Sequence, residues 1–226
     1  MCGRFNVTDD PYMHALLDSL GVNLGRLPIR TSNDIAPTDT VSIVVSNGKE
    51  TVLKDACWWL LMHHEDGRIR PLTKYASFNT RSDKLNVKGS AGFDAFRKTR
   101  CIIPASGFVE TQQGNAYAMD PVGSAIAFGG LFRHWIDGTT GQEVLSCSIV
   151  TLPPHPKIAP YHAKSMPLIL PLNPEVQRKW LDCPAANVGE LEEMLSPQLP
   201  LPISVTPIEK ASVRNAIGES VHLAAD

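Results

Sequence analysis

The sequence lacks long apolar runs and the common signatures of nucleotide and metal chemistry. No apolar run reaches the ~18 residues that a transmembrane helix needs, and no basic-then-apolar signal segment opens the chain. We therefore expect no contact with a membrane. There is no GxxxxGK(S/T), GxGxxG, HExxH or GxSxG motif, which argues against a phosphate loop, a dinucleotide fold, a zinc peptidase and a serine hydrolase. The chemistry is expected to come from side chains and the N-terminus, without a cofactor.

Cysteine and histidine are too few and too scattered to predict a disulfide framework or a metal site. The five cysteines are odd in number and never form CxxC, a pattern that favours reduced thiols in a cytoplasm. Cys57, Cys101 and Cys147 lie in apolar stretches and are predicted to be buried core thiols. The seven histidines do not fall at metal-ligand spacing. The adjacent pair His63 and His64 would point to opposite faces of a strand, so no metal is expected.

Positive charge is concentrated in one segment of an otherwise acidic chain. The net charge is −2, yet residues 68–100 hold nine basic and two acidic side chains. That segment therefore carries +7 and the rest of the chain −9. A segregated basic stretch can hold phosphates locally while long-range attraction stays weak. An ordinary solvated loop and helix face is the alternative, and the composition leaves both open.

Short apolar segments separated by turn signals predict an α+β fold. We expect a mostly antiparallel sheet curled into a β-barrel-like core, with peripheral helices, because strands do not alternate regularly with helices. The dipeptide Asn47-Gly48 predicts a tight hairpin turn. No linker or repeat divides the chain, so residues 1–226 are predicted to form one domain. Helices are predicted at 11–20, 92–98, 173–180 and 188–195, and strands at 41–46, 51–59, 101–103, 125–132, 145–150, 168–170 and, last, near 203–205.

Four short stretches stand out because polar residues interrupt apolar surroundings. Taken singly, each has a plain structural interpretation. Glu110 could be an exposed strand-end carboxylate and His162 a satisfied structural histidine. Asn79 could close a turn, and Arg81 could be one more surface cation. The stretches are CGRF (2–5), SFNTR (77–81), RCIIPASGFVE (100–110) and APYHAKSMPLIL (159–170).

Together and in this order, the four stretches resemble the SRAP family, named for SOS response-associated peptidase. Its members begin Met-Cys-Gly-Arg-Phe and carry an Asn-Ala-Arg-like segment, an Arg-Cys-(Leu/Ile)-Ile-Pro-Ala-x-Gly-Phe-x-Glu strand and a later His-containing Met-Pro-(Val/Leu)-Ile-Leu stretch. The resemblance runs from Cys2 to about Trp180, with a weaker match at 205–215. It implies a DNA-damage protein that senses abasic sites in single-stranded DNA. It also implies a peptidase activity, at least toward the chain's own first residues, and a cytoplasmic location, at the nucleoid when bound to DNA.

The start of the chain suits the covalent chemistry that this resemblance implies. If Met1 is removed, Cys2 carries a free α-amine and a thiol on adjacent carbons. The amine can attack the open aldehyde of an abasic deoxyribose to form an imine, and the thiolate can then close a five-membered thiazolidine. An α-amine with a pKa of about 7.7–8.0 is partly neutral at pH 7. An internal cysteine has no free amine and cannot make this ring.

The resemblance also implies roles for other residues. Glu110 would shuttle protons during ring opening and imine formation, and His162 would be a second acid/base or hold the sugar oxygen. Asn79 would orient the amine and the aldehyde. The implied DNA-binding residues are two arginines for the flanking phosphates, two weaker phosphate contacts and a loop proline beside the reactive pocket, namely Arg4, Arg81, Thr151, Lys164 and Pro37.

Several positions depart from the family pattern. Asp34 stands where Asn is usual, and because a carboxylate repels phosphate we expect it to face elsewhere. Thr111 replaces an aromatic residue, and Met62-His63-His64 replaces a Trp-rich stretch, so stacking surfaces are missing. Three residues rather than two separate His162 from Met166. A bulge could absorb the extra residue but turn the histidine aside.

Other functions stay open from the sequence. Class II glutamine amidotransferases also begin Met-Cys-Gly, but they typically continue with an apolar residue where this chain has Arg4, and their glutamine-pocket motifs are not found. A non-catalytic module that binds single-stranded DNA, with an inert Cys2, is the second alternative. Dedicated proteolysis of other proteins has the least support, since no oxyanion hole is evident.

Overall fold

The computed structural model describes residues 3–25, 27–183 and 188–226. Within these ranges the chain forms three α-helices: α1 (Pro11–Ser19), α2 (Phe93–Lys98) and α3 (Pro174–Leu181). The strands are β1 (Arg4–Val7), β2 (Ser32–Ile35), β3 (Thr40–Ser46), β4 (Thr51–Cys57), β5 (Met62–Glu65), β6 (Arg68–Pro71), β7 (Asn79–Arg81), β8 (Arg100–Ala105), β9 (Gly107–Gln112), β10 (Asn115–Pro121), β11 (Ile126–Ile136), β12 (Glu143–Leu152), β13 (Met166–Pro167), β14 (Ile203–Lys210), β15 (Val213–Ala216) and β16 (Val221–Leu223).

These strands form two large sheets and one small hairpin. The first sheet has the order β15-β14-β10-β9-β1-β2, with β16 also paired to β14, and curls into a half barrel. The second has the order β11-β8-β3-β4-β12 and closes into a five-stranded barrel, because β11 also pairs with β12. Closure leaves the barrel without free edges. The predicted α+β fold with a curled, mostly antiparallel sheet is confirmed, although β12 pairs in parallel with β4 and β7.

Both longer helices begin at the caps that the sequence indicates. The Asp10 side chain accepts a hydrogen bond from the backbone N–H of Met13, and Asn173 accepts one from Glu175. Such caps satisfy N–H groups that have no partner within the helix. Gly21 lies just beyond α1 with a φ of 75°, a left-handed conformation that glycine adopts without strain. Local chemistry therefore sets these boundaries.

Three predicted elements differ in the structure. The segment 188–195 forms two short 3₁₀ turns, at Gly189–Leu191 and Glu193–Leu195, rather than one α-helix. Residues 168–170 form no continuous strand, and Ile169 makes only an isolated bridge to Phe128. The strand that begins at Ile203 is not the last, because β15 and β16 follow it with few apolar residues to signal them.

Two of the three predicted core thiols are buried in the barrel. Cys101 and Cys147 have no exposed surface, whereas Cys57 is half-buried at the end of β4, where its Sγ lies 3.4 Å from the carbonyl oxygen of Thr38. The prediction for Cys57 was therefore wrong, because its apolar stretch ends at the barrel rim. Burial raises the pKa of all three thiols, that of Cys57 to about 11.

Aromatic side chains join the two sheets. Phe5 and Phe108 from the first sheet meet Phe128 and Trp58 from the second, and all four are at most 1% exposed. The ring centroids of Phe5 and Trp58 are 4.8 Å apart, and those of Phe108 and Phe128 are 5.7 Å apart, both in edge-to-face geometry. Such pairs contribute about 0.5–1.5 kcal/mol beyond the burial of their area. This cluster fixes how the sheets face each other.

We expect Phe128→Ala to lower the free energy of unfolding by about 3–5 kcal/mol, because it leaves a cavity where the two sheets meet. The measurement is urea denaturation followed by fluorescence. The control is Ile136→Ala at the exposed end of the same strand, which is 59% exposed and should change stability by less than about 0.5 kcal/mol. Equal losses in both variants would contradict this role for the aromatic cluster.

Candidate active site and nucleic-acid interface

The start of the described chain lies beside the end of β9. In the register between β1 and β9, Arg4 lies opposite Val109. Because the strands are antiparallel, one residue back along β1, at Gly3, corresponds to one residue forward along β9, at Glu110. Cys2 lies outside the described residues. The chain nevertheless enters the sheet at the level of the predicted catalytic glutamate.

The turn after β2 borders the other side of β1. Phe5 pairs with Ile35, the last residue of β2, so the following turn lies next to the first residues of β1. The N–H of Asp39 closes this turn on the carbonyl of Ala36 at 3.1 Å. Pro37 is half-buried within it. Its position is consistent with a loop beside the reactive pocket, and its contact with DNA stays a prediction.

Glu110 faces the interior of the protein. Its side chain points to the same face as that of Phe108, two residues earlier on the strand, and only 1% of the residue is exposed. Burial raises the pKa of Glu110 to about 7, because desolvation disfavours the carboxylate. A carboxyl group with this pKa can give or take a proton near neutral pH. The interpretation of Glu110 as an exposed strand-end carboxylate is therefore wrong.

His162 lies against Glu110. Its Nδ1 is 3.5 Å from Glu110 Oε2 and 2.9 Å from the carbonyl oxygen of Thr111. A carbonyl oxygen only accepts, so Nδ1 carries the hydrogen and donates it, which leaves Nε2 with a lone pair in the neutral ring. Burial lowers the pKa of His162 and so favours that neutral form. The extra residue before Met166 does not turn the histidine aside.

Contacts on two sides hold the segment that carries the histidine. The ring of Tyr161 packs edge-to-face on that of Tyr117, with 5.2 Å between centroids, and Tyr117 lies opposite Glu110 in the sheet. At the base of the segment, Asp226 accepts from Lys157 Nζ at 2.9 Å and lies 3.2 Å from His155 Nε2. The segment is therefore fixed to both the sheet and the last residues of the chain.

Asn79 belongs to the second sheet. It begins β7, which runs parallel to β12 with Asn79 opposite Ile149. The preceding residue, Phe78, packs edge-to-face on Trp58 at 5.7 Å, and its carbonyl accepts from Trp58 Nε1 at 2.9 Å. The candidate catalytic residues are thus drawn from different sheets, with Glu110 on the first and Asn79 on the second.

A cavity of about 480 Å³ brings together three of the predicted DNA-binding residues, Arg81, Thr151 and Lys164. Ser165 also lines it, although nothing in the sequence singles this residue out. Thr151 and Ser165 are buried, and among the described residues their hydroxyl oxygens have no hydrogen-bond partner. A buried hydroxyl left unsatisfied costs about 1–3 kcal/mol. Two such hydroxyls between two cations suit an anionic ligand.

Both predicted phosphate-binding arginines already pair with carboxylates. The guanidinium of Arg4 contacts Asp34, so Asp34 faces one of the predicted DNA-binding residues. Arg81 donates from Nε to Asp83 Oδ1 at 2.9 Å and from Nη2 to Oδ2 at 2.8 Å. The Arg4 pair is half-buried, whereas the Arg81 pair is exposed. Exposed pairs contribute only about 0–1 kcal/mol, so a phosphate can compete for Arg81.

The basic segment 68–100 presents less charge than its composition indicates. Arg100 is only 1% exposed and donates to the carbonyls of Phe96, Trp180 and Asp182 near the ends of two helices, where a cation is favoured. Arg97 likewise donates to a backbone carbonyl. The guanidinium groups of Arg97 and Arg100 therefore bind backbone carbonyls of the protein itself. The exposed cations of the segment are Arg68, Arg70, Lys74, Arg81, Lys84, Lys88 and Lys98.

Within residues 3–25, 27–183 and 188–226 there is no group of three or more His, Cys, Asp or Glu side chains placed to hold a metal ion. The helices found in these ranges are all too short or too polar to span a bilayer.

A comparison with known families decides the classification. The family model described as SOS response associated peptidase (SRAP) matches residues 1–216. This chain belongs to the SRAP family. Membership supports a DNA-damage-associated, peptidase-like role for this SRAP protein. No curated protein matched the sequence.

Solved structures share the SRAP fold at low sequence identity. A protein from Bacteroides thetaiotaomicron is 20% identical with a TM-score of 0.73, and the match covers 92% of this chain and 93% of the other. A protein from Bordetella bronchiseptica is 18% identical with a TM-score of 0.67 over the whole of both chains. A phage-related protein from the same organism is 18% identical with a TM-score of 0.65, covering 96% of this chain and all of the other. At such identities the likeness concerns the fold alone.

The raised pKa of Glu110 predicts that Glu110→Gln stabilises the protein increasingly as pH rises. Below about pH 4.5 the carboxyl is protonated in both the folded and the unfolded state. Between there and about pH 7 only the unfolded state releases the proton, so wild-type stability falls as pH rises. One pKa unit corresponds to about 1.4 kcal/mol, so the free energy of unfolding of Glu110→Gln relative to wild type should rise by about 3 kcal/mol over this window.

Urea denaturation between pH 4.5 and 8 measures this difference. Glu209→Gln is the matched control, since it makes the same chemical change at an exposed strand position. A difference for Glu110→Gln that does not vary with pH would show that the carboxyl is not desolvated as described.

Proposed function

We propose that this SRAP protein couples covalently to abasic sites in single-stranded DNA through Cys2, after removal of Met1. The observation that carries the proposal is the buried pair of Glu110 and His162, 3.5 Å apart, at the level where the chain enters the sheet. The peptide bond to Gly3 keeps the Cα of Cys2 about 3.8 Å from that of Gly3. The aminothiol is thus tethered close to a carboxyl group that exchanges protons near neutral pH.

The first step is the opening of the abasic sugar. The neutral His162 ring takes the proton of the hemiacetal hydroxyl at Nε2, and the bond between C1′ and the ring oxygen breaks. His162 then passes that proton to the former ring oxygen and returns to its neutral form. Donation from Nδ1 to the Thr111 carbonyl orients the ring for this role. The product is an open aldehyde, the electrophile that an amine requires.

The second step joins protein and DNA. The neutral amine of Cys2 attacks the aldehyde carbon, and a C–N bond forms. Protonated Glu110 donates to the hydroxyl group that leaves as water, and its carboxylate then takes a proton from the nitrogen, which gives the neutral imine and restores Glu110. The thiol of Cys2 then adds across the C=N bond, with sulfur on carbon and the proton on nitrogen, and closes the thiazolidine. Asn79 would hold the amine and the aldehyde together by hydrogen bonds, as the family resemblance implies.

DNA binding is assigned to the cavity that holds Thr151 and Ser165. A phosphate oxygen accepts hydrogen bonds from both hydroxyls, which otherwise have no partner in the described part of the chain. Arg81 and Lys164 supply charge at the same cavity. Phosphate contacts position a nucleic acid without reading its sequence. The proposed location is the cytoplasm, at the nucleoid while bound to DNA.

The same acid/base pair would serve the peptidase-like role of the family. Hydrolysis of the bond between Met1 and Cys2 needs a base to activate water and an acid to protonate the leaving amine. Glu110 can fill both roles in turn, since its pKa is about 7. Removal of Met1 is also the event that creates the aminothiol. The family's peptidase-like chemistry and the proposed crosslink would then be successive uses of one site.

Mature protein incubated with an abasic single-stranded oligonucleotide should give a shifted band on a denaturing gel. Cys2→Ala and Cys2→Ser should give no stable band, because neither variant can close the sulfur-containing ring. Glu110→Gln and His162→Ala should slow band formation roughly hundredfold or more while leaving binding to intact DNA largely unchanged.

Cys57→Ala is the matched thiol control and should crosslink like wild type, since it removes a half-buried internal cysteine. Mass spectrometry verifies that Met1 is absent from the preparation. If this mature protein leaves abasic DNA unmodified, the crosslinking proposal is wrong. Glutaminase activity in that case would favour an amidohydrolase, and unchanged DNA binding by Cys2→Ala would favour a non-catalytic module.

Thr151→Val tests the phosphate cavity separately from the chemistry. Valine has the same shape without the buried hydroxyl, so we expect the free energy of unfolding to stay within about 0.5 kcal/mol of wild type or to rise. Binding to single-stranded DNA should weaken about tenfold or more, because a hydrogen bond to a charged group is lost. Fluorescence anisotropy measures the affinity.

Lys164→Ala and Lys98→Ala form a matched pair for the charge at this cavity. The first should lower the slope of log K against log salt by about 0.7, the value for one phosphate contact on a single strand. Lys98 is exposed and lies in the basic segment but does not line the cavity, so its removal should change the slope less. Equal slopes for Lys164→Ala and wild type would remove Lys164 from the interface.

A further inference from the structure

A second cavity, of about 380 Å³, lies beside Asn79. Arg81 lines both this cavity and the one that contains Thr151, so the two spaces adjoin the same guanidinium. Tyr75, which lines this cavity and is 53% exposed, has no role in the proposed chemistry.

The walls of this cavity are apolar or already satisfied. Leu61, Ala76, Ala91 and Gly92 contribute small or aliphatic surface. The three serine and threonine hydroxyl groups are engaged with the protein, and that of Thr80 lies 2.8 Å from Ser148 Oγ. Ser77 Oγ accepts from the backbone N–H of Leu61 at 2.9 Å, and Ser90 Oγ donates to the carbonyl of Lys84 at 2.6 Å. Apart from the Asn79 amide, which the proposed chemistry uses, the cavity therefore offers shape and apolar surface rather than uncharged hydrogen-bonding groups that read a ligand.

Aromatic and cationic groups meet at the rim. The Lys74 ammonium lies 5.5 Å from the centroid of the Tyr75 ring, and Lys84 and Arg81 line the same space. An exposed ring next to an apolar space and several cations is complementary to a nucleotide, whose flat base is apolar on its faces and whose phosphate is negative. A purely hydrophobic ligand would leave the cations without a role.

We propose that this cavity receives a nucleobase adjacent to the abasic nucleotide, stacked on the ring of Tyr75. The inference rests on the proposed function only in taking single-stranded DNA as the ligand. The phosphate between base and lesion would then lie near Arg81, which both cavities share. Because the hydroxyl groups in the cavity are engaged, the base is held by stacking and without sequence preference. Tyr75 thus supplies an aromatic surface that Met62-His63-His64 does not.

The test is a cycle that combines variants of Tyr75 with removal of single bases. Affinity is measured by fluorescence anisotropy for an oligonucleotide that carries one tetrahydrofuran analogue of the abasic sugar, which has no aldehyde and cannot crosslink. Two further oligonucleotides replace the 5′ or the 3′ neighbouring nucleotide with a second analogue. In wild type, one of these replacements should weaken binding roughly 5- to 150-fold.

Tyr75→Ala should weaken binding of the first oligonucleotide by a similar factor, and removal of the same base should then have no further effect. Tyr75→Phe should behave like wild type, and Tyr75→Leu, which keeps the apolar volume, should behave like Tyr75→Ala. Tyr12→Ala is the matched control, because Tyr12 is 52% exposed but lies on α1 away from the basic segment. It should leave all affinities unchanged.

The inference is overturned if Tyr75→Ala binds like wild type, or if base removal weakens wild type and Tyr75→Ala equally. In the first case the cavity is open to another occupant, such as a protein side chain. Its failure is distinct from failure of the proposed function, because crosslinking uses an aldehyde-bearing oligonucleotide. If the protein forms the crosslink but the effects of Tyr75→Ala and of base removal on affinity are independent, only the base site is overturned. If those two effects depend on each other but no crosslink forms, only the covalent chemistry is overturned.

Discussion

The packing of Trp58 between Phe5 and Phe78 is the contact on which the rest of the site depends. Its indole lies 4.8 Å from the Phe5 ring and 5.7 Å from the Phe78 ring, both edge-to-face. Phe5 follows the first residues of the chain in one sheet, and Phe78 precedes Asn79 in the other. One buried side chain therefore sets the distance between the chain start and the second sheet's contribution to the site.

The burial of Glu110 lowers the free energy of unfolding of the protein near neutral pH. A carboxyl group that is 1% exposed with a pKa raised from 4.5 to about 7 destabilises the folded state progressively between these two pH values and fully above them, since its ionised form is poorly solvated. Strongly shifted groups are concentrated at functional sites. His162 shifts in the opposite direction, toward its neutral form. When Glu110 is protonated and His162 is neutral, the pair places no charge in the interior.

Sequence patterns predicted the features that depend on local chemistry. The cap at Asp10 and the hairpin at Asn47-Gly48 were predictable because they use neighbouring residues only. The contact between Glu110 and His162 joins positions far apart in the chain, and only the family resemblance paired them. Ser165 gave no signal, since a hydroxyl without a partner is a property of the packed state. The composition likewise overestimates the positive charge at the surface. It does not show that Arg97 and Arg100 donate to backbone carbonyls within the fold.

The barrel also shapes the thiol chemistry of the whole chain. Cys101 and Cys147 are enclosed by it, Cys57 lies at its rim, and burial raises the pKa of each well above neutrality. These three sulfurs stay in their weakly nucleophilic protonated form under ordinary cellular conditions. If Cys2 reacts as proposed, these three thiols compete little with it, so selectivity over them would not require an exceptionally acidic thiol at Cys2.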